Sequence, residues 1–163
     1  MFKNLIFLAL PLSIVLSGCG GGGLDPSPDN NGPTTISARL SESDFLDKDR
    51  YYDIYVADAR YSGSARVAMR SDDFDTQFYV YEKDADGDYT LIDSNDDAGS
   101  DTSDSDDRFD ITEGRTYRIV ATSAHANEFG DYQIRFSQDL TKPAQVTTQA
   151  QLKAKLSLPK RVK

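Results

Sequence analysis

Seven aspartates fall between Asp93 and Asp107, in the run DSNDDAGSDTSDSDD, with no lysine or arginine among them. So many like charges repel and loosen a segment unless something neutralises them. Calcium is one candidate, because it takes about six to eight oxygen ligands, largely from carboxylates and carbonyls of short loops. Asp93, Asn95, Asp96, Asp97 and Asp101 offer such oxygens within nine residues, and Gly99 permits a tight bend. EF-hand spacing is absent, since DADGDYTLID has no glutamate at its twelfth position. The alternative is that Asp96 and Asp97 form Asx turns while the other aspartates solvate the surface.

Catalytic chemistry has little to draw on. His125, in TSAHANEFG, is the one histidine; Ser123 precedes it, but no GxSxG motif supports a nucleophilic serine. One histidine without thiols makes a poor zinc site. A carboxylate pair could hydrolyse a glycosidic bond, but the acid needs a raised pKa and so an apolar pocket. These aspartates crowd a hydrophilic loop. The expectation is that no residue is catalytic, with a small carboxylate-based hydrolase of envelope polysaccharide as the alternative.

The elements that must position these groups read as strands. From Ile36 to Ser137 the hydrophobic period is two. YYDIYVA places Tyr52, Ile54 and Val56 on the inner face and Tyr51, Asp53 and Tyr55 outward. SARVAMRS alternates Ala65, Val67 and Met69 against Arg66, Ala68 and Arg70. TQFYVYEK points Phe78 and Val80 inward and Gln77, Tyr79 and Tyr81 outward; DYQIRFS sets Tyr132, Ile134 and Phe136 against Gln133 and Arg135. With ISARL, YTLID, RFDIT and TYRIVATS, this makes about eight strands spaced roughly ten residues apart, an antiparallel β-sandwich or barrel. Turns are expected at Asp86-Gly87, Gly114 and Gly130. The outward tyrosines Tyr51, Tyr55, Tyr79 and Tyr81 suit a ligand surface for sugar rings or peptides. They could equally form a second buried face.

Charge and composition bound the rest. Residues 35–138 hold 24 acidic and 11 basic side chains, a net of −13, which argues against a nucleic-acid partner. Residues 139–163 carry a net of +5. This basic tail is expected to be mostly disordered, although TTQAQLKAKL could form a short helix. At the other end, MFKNLIFLALPLSIVLSGC has Lys3 ahead of an apolar run too short for the roughly 20 residues of a membrane span, the pattern of a secretory signal. Its last residues, Leu16, Ser17, Gly18 and Cys19, resemble the bacterial lipobox. That resemblance implies a signal peptide over residues 1–18, acylation of Cys19 and a membrane anchor. Gly20 follows rather than aspartate, which implies the outer membrane. An acylated Cys19, the single cysteine, leaves no thiol for disulfides or metal. Residues 19–35, rich in glycine and proline, read as a tether.

DDFDTQFYVYEKDADGDYTLIDSNDD carries a further likeness. Phe74, Asp75 and Thr76 lead into an apolar strand, an Asp86-Gly87 hairpin, a second strand and an Asn95-Asp96-Asp97 turn. Gly114 with Tyr117, and Gly130 with Tyr132, mark two later strands. This pattern resembles the bacterial pre-peptidase C-terminal (PPC) domain. The resemblance implies a jelly-roll-like β-sandwich over residues 36–138, appended in most relatives to secreted peptidases, with calcium bound in several. It brings Asp75 into the candidate calcium set with Asp93, Asn95, Asp96 and Asp97, and makes Asp47 and Asp49 a second candidate. In collagenases a related domain holds collagen. The expected role is therefore a binding or accessory module for a protein or glycan partner, stabilised by calcium.

Overall fold

The computed structural model describes residues 32–100, 102–148 and 158–159. Among them no helix is long and apolar enough to cross a membrane. Each of the eight expected segments forms a strand: β1 (Thr34–Leu40), β3 (Arg50–Asp58), β4 (Gly63–Arg70), β5 (Thr76–Lys83), β6 (Tyr89–Asn95), β7 (Ser105–Ile111), β8 (Thr116–Ser123) and β9 (Gly130–Phe136). Two short strands, β2 (Phe45–Asp47) and β10 (Ala144–Val146), were not expected. They share one edge of β3, with β2 opposite Arg50 to Tyr52 and β10 opposite Ile54 to Val56.

The strands form two antiparallel sheets. The smaller has the order β1-β9-β4-β7 and the larger β10-β3-β8-β5-β6, with β2 beside β3. Chain-adjacent strands β3 and β4, then β5 and β6 against β7, fall in different sheets, which is the interleaved order of a jelly roll. The core lies between the sheets, where Val67, Met69, Phe109, Ile134 and Phe136 of the small sheet meet Tyr55, Phe78, Val80, Tyr117 and Ile119 of the large one.

Alternation holds in the small sheet. In β9 every second residue is buried, and β4 buries Ala65, Val67 and Met69. The large sheet departs from it, because both of its faces are covered. All six residues from Thr76 to Tyr81 are buried, as are Tyr117 to Ser123. Strands buried on both faces read as nearly continuous apolar runs. The assignment of faces in β3 is therefore corrected. Tyr51 and Tyr55 face the core between the sheets, whereas Tyr52, Ile54 and Val56 lie on the far face with Tyr79, Tyr81 and Val120.

The tail supplies much of that cover, so the boundary after Gln138 falls inside the fold. Leu140 is 3% exposed and packs into the core. Leu158 is fully buried against the far face of the large sheet. Its N–H donates to Asp47 Oδ2 (2.8 Å), its carbonyl accepts from Lys48 Nζ, and the Pro159 carbonyl accepts from Arg50 Nη2 (2.8 Å). Arg50, itself buried, also donates to Gln77 Oε1 and Tyr79 Oη. The start shifts as well: Thr34 and Thr35, expected in the tether, pair with Phe136 and Arg135. The suggested helix lies mostly outside the described residues.

The turns follow their glycines. Gly87 (φ 94°) lies in the β5–β6 hairpin, where the Asp84 carboxylate accepts from the N–H groups of Asp86 and Asp88. Gly114 (φ 76°) turns between β7 and β8. Gly130 opens β9 rather than forming a tight turn, and Asp73 packs so close that a Cβ there would lie 2.3 Å from the Asp73 Cβ.

Candidate functional site

The acidic run spans the end of β6, a loop and the start of β7, the two strands that edge the sheets on the same side. Asp93 and Asn95 stand opposite Val80 and Phe78, so both look inward toward the small sheet. Asn95 Oδ1 accepts from the Asp106 N–H at 2.9 Å, tying the two edges together. Asp93 Oδ1 accepts from the Ser94 N–H, while Asp93 Oδ2 is buried without a hydrogen-bond partner. Burial pushes the Asp93 carboxyl above the usual aspartate range; the Ser94 N–H opposes this, and the charge of Asp107 on β7 adds to the rise. Asp107 was missed by sequence reasoning, since only the stacking of β6 beside β7 brings it to Asp93.

Asp96 and Asp97 follow in the loop, which closes through Ala98 N–H to the Asp104 carbonyl (2.6 Å). Asp101 lies outside the described residues. Asp75 sits just before β5, where its Oδ2 lies 3.3 Å from His125 Nε2 and its carbonyl accepts from the Ala124 N–H. Among the described residues no three His, Cys, Asp or Glu side chains converge as a metal-holding group. Asp75, Asp93, Asn95, Asp96 and Asp97 are thus neighbours along the loop system rather than one cage. In the second candidate, Asp47 is engaged by the Leu158 N–H, and Asp49 takes a positive φ of 64°.

The Phe-Asp-Thr motif anchors this region. Phe74 is in the core, and Thr76 pins the loop's far end: its N–H donates to the Ser103 carbonyl (2.9 Å), and its hydroxyl lies 2.8 Å from Ser105 Oγ. Ser105 Oγ in turn donates to the Thr76 carbonyl. Ser123, the serine nearest His125, donates to that residue's backbone carbonyl at 2.6 Å and not to its ring.

The four tyrosines do not share a face. Tyr51 and Tyr55 lie toward the inner core, Tyr79 and Tyr81 on the far face under the tail segment, and Tyr55, Tyr79 and Tyr81 are buried. The expected exposed tyrosine surface is replaced by two covered ones. Burial pushes the Tyr81 hydroxyl up to about 12.

A second polar cluster, which sequence reasoning placed in solvent, lies between the sheets. Asp53 is 5% exposed and is the only buried carboxylate among the described residues. Its Oδ2 accepts from Tyr132 Oη (2.6 Å), and its Oδ1 accepts from Gln145 Nε2 (3.0 Å). With the Tyr132 proton so used, Tyr55 Oη donates to Tyr132 Oη at 2.7 Å. Desolvation raises the Asp53 carboxyl, opposed by these two hydrogen bonds. It also pushes Tyr55 up to about 12 and Tyr132 higher still. Asp53 is the one residue of YYDIYVA that breaks an apolar run, and that interruption was the available signal.

No protein-family model matches the chain. No curated protein matches it. Among solved structures the chain is similar to the pre-peptidase C-terminal domain of a collagenase from Bacillus anthracis, with 13% identity, 65% of this chain and 90% of that chain covered, and a TM-score of 0.47. It is also similar to the Yersinia pseudotuberculosis-derived mitogen, with 10% identity, 71% and 98% covered, and a TM-score of 0.49.

Proposed function

We propose that the protein is a lipid-anchored envelope protein whose β-sandwich is a non-catalytic binding or accessory module for a protein or glycan partner, stabilised by calcium. One observation carries the non-catalytic reading: the serine beside His125 and the buried carboxylate between the sheets are committed to holding the fold. Ser123 is bonded to a backbone carbonyl, Asp47 to the tail, and Asp53 to Tyr132 and Gln145. A glycosidase needs two opposed carboxylates that a sugar can reach, whereas Asp53 is sealed between the sheets.

Calcium is supported by the orphaned oxygen of Asp93 and the neighbouring charge of Asp107. A hard divalent cation between these two carboxylates would satisfy both, with Asp96 and Asp97 adding oxygens only once the loop closes on the ion. Extracellular sites of this kind bind with dissociation constants of roughly 10⁻⁴–10⁻³ M. At tenfold excess, linkage adds about 1.4 kcal/mol, which raises the melting temperature of a domain this size by several degrees. Magnesium should do less, and Asp93→Asn with Asp107→Asn should remove the calcium response. Identical melting temperatures in calcium and in chelator, at constant ionic strength, would sink the calcium proposal.

The anchor rests on Cys19, which lies outside the described residues. Acyl chains contribute about 0.8 kcal/mol per buried methylene, so several together hold stably. Cys19→Ser should leave the protein unprocessed or release it from the outer membrane. Normal membrane fractionation of that variant would refute the anchor.

A further inference from the structure

The outer face of the small sheet carries more basic than acidic side chains, its arginines outnumbering the outward Asp106, Asp110 and Asp131. Five of the 11 basic residues in 35–138, namely Arg39, Arg66, Arg70, Arg108 and Arg135, alternate with core residues on β1, β4, β7 and β9 and so project from this one face. Register sets their arrangement. Ala68 stands opposite Asp106 of β7 and Arg135 of β9, Arg66 opposite Arg108, and Arg70 opposite Gln133. The short Ala68 side chain floors an open cleft of about 520 Å³ in whose lining Arg66, Arg70, Arg108 and Arg135 outnumber the two carboxylates, Asp106 and Asp139. Like charges directly opposite, as at Arg66 and Arg108, cost stability. Asp106 grips Arg66 through both Nε (2.6 Å) and Nη2, and Arg70 Nε lies 3.6 Å from Asp104. Arg108 and Arg135 are exposed and form no ion pair among the described residues.

We propose that this cleft docks a carboxylate-rich polysaccharide, a polyuronate chain. The proposal names the partner of the non-catalytic module above and rests on that reading. Guanidinium forks match carboxylates in bidentate geometry. The cleft lies over the interior of a sheet, where β4 already pairs with β7 and β9, so an extended peptide finds no free strand edge to join. No aromatic ring lines it, so a neutral sugar gains no stacking platform and charge supplies the attraction. The acidic remainder of the surface repels a polyanion elsewhere and directs it to this face.

The test is calorimetric titration of the full chain with polygalacturonate, in chelator so that calcium cannot bridge protein and polymer, beside dextran and polyglutamate. Polygalacturonate should bind, weaken as salt rises from about 50 to 300 mM, and outcompete polyglutamate, while dextran should not bind. Arg108→Ala with Arg135→Ala should lower the affinity about tenfold or more without lowering the melting temperature, since neither residue forms an ion pair and Arg108 stands opposite the like charge of Arg66. Absent binding, or an affinity unchanged in the double variant, overturns the proposal. Tighter binding of polyglutamate overturns it in favour of an acidic protein partner. Release of new reducing ends from polygalacturonate would overturn the non-catalytic reading instead, and the arginine pair would still decide the docking face.

Discussion

Ending the chain at Gln138 should unfold the domain. The truncation removes Leu140 from the inner core, β10 from the edge of β3, the Gln145 bond to Asp53, and Leu158 from the far face of the large sheet. Truncating one buried leucine to alanine costs about 2–5 kcal/mol. Two leucines and a strand together exceed about 5 kcal/mol, which is comparable with the roughly 5–15 kcal/mol net stability of a domain. In urea the truncated chain should show no cooperative transition, or one at a far lower midpoint than the full chain. Leu158→Ala alone should lose about 2–5 kcal/mol and so separate the contribution of the far face from that of β10. A truncated chain that unfolds at the midpoint of the full one would mean that the tail only rests on the sheet.

Tyr132→Phe should be the most damaging conservative substitution in the core. It removes one oxygen, yet Asp53 loses a hydrogen-bond donor and Tyr55 loses its acceptor. An orphaned buried group costs about 1–3 kcal/mol, and more if charged. The effect should depend on pH. The folded-state pKa of Asp53 is raised, so its contribution is fully present below the ordinary aspartate value and is lost as pH climbs through the raised one. Removing the Tyr132 hydroxyl raises that pKa further, so stability should fall more steeply and up to a higher pH. Asp53→Asn should flatten the dependence: its carbonyl accepts from Tyr132, and its amide donates to Gln145 once that side chain turns its oxygen inward. Urea midpoints across pH 4–8 would check both variants, and parallel pH profiles for wild type and Asp53→Asn would refute the assignment to Asp53.

The eight main strands were legible because side-chain alternation is a local property, present in SARVAMRS and DYQIRFS before any partner is known. The turns at Gly87 and Gly114 were legible for a similar reason, since a positive φ is costly for other residues. The two-sided burial of the large sheet was only half visible. YYDIYVA and TYRIVATS are apolar on both parities, which signals cover on both faces but does not say which parity looks inward. Tyr55 and Tyr52 differ only in what lies above them, and that is decided by where β9 and Leu158 come to rest.

Strand content, the hairpin glycines, the acidic body and the outward direction of Arg66, Arg70 and Arg135 were determined by the sequence alone, because each depends on neighbours a few residues away. Tertiary structure alone decided that Asp107 meets Asp93, that Asp53 is buried beneath Tyr132, that the tail belongs to the fold, and that arginines from β4, β7 and β9 surround Ala68. Each of these joins residues far apart in the chain. The jelly-roll order puts β4 beside β7 and β9, and β6 over β7 across the sheet edges, and no local period encodes which strands become neighbours.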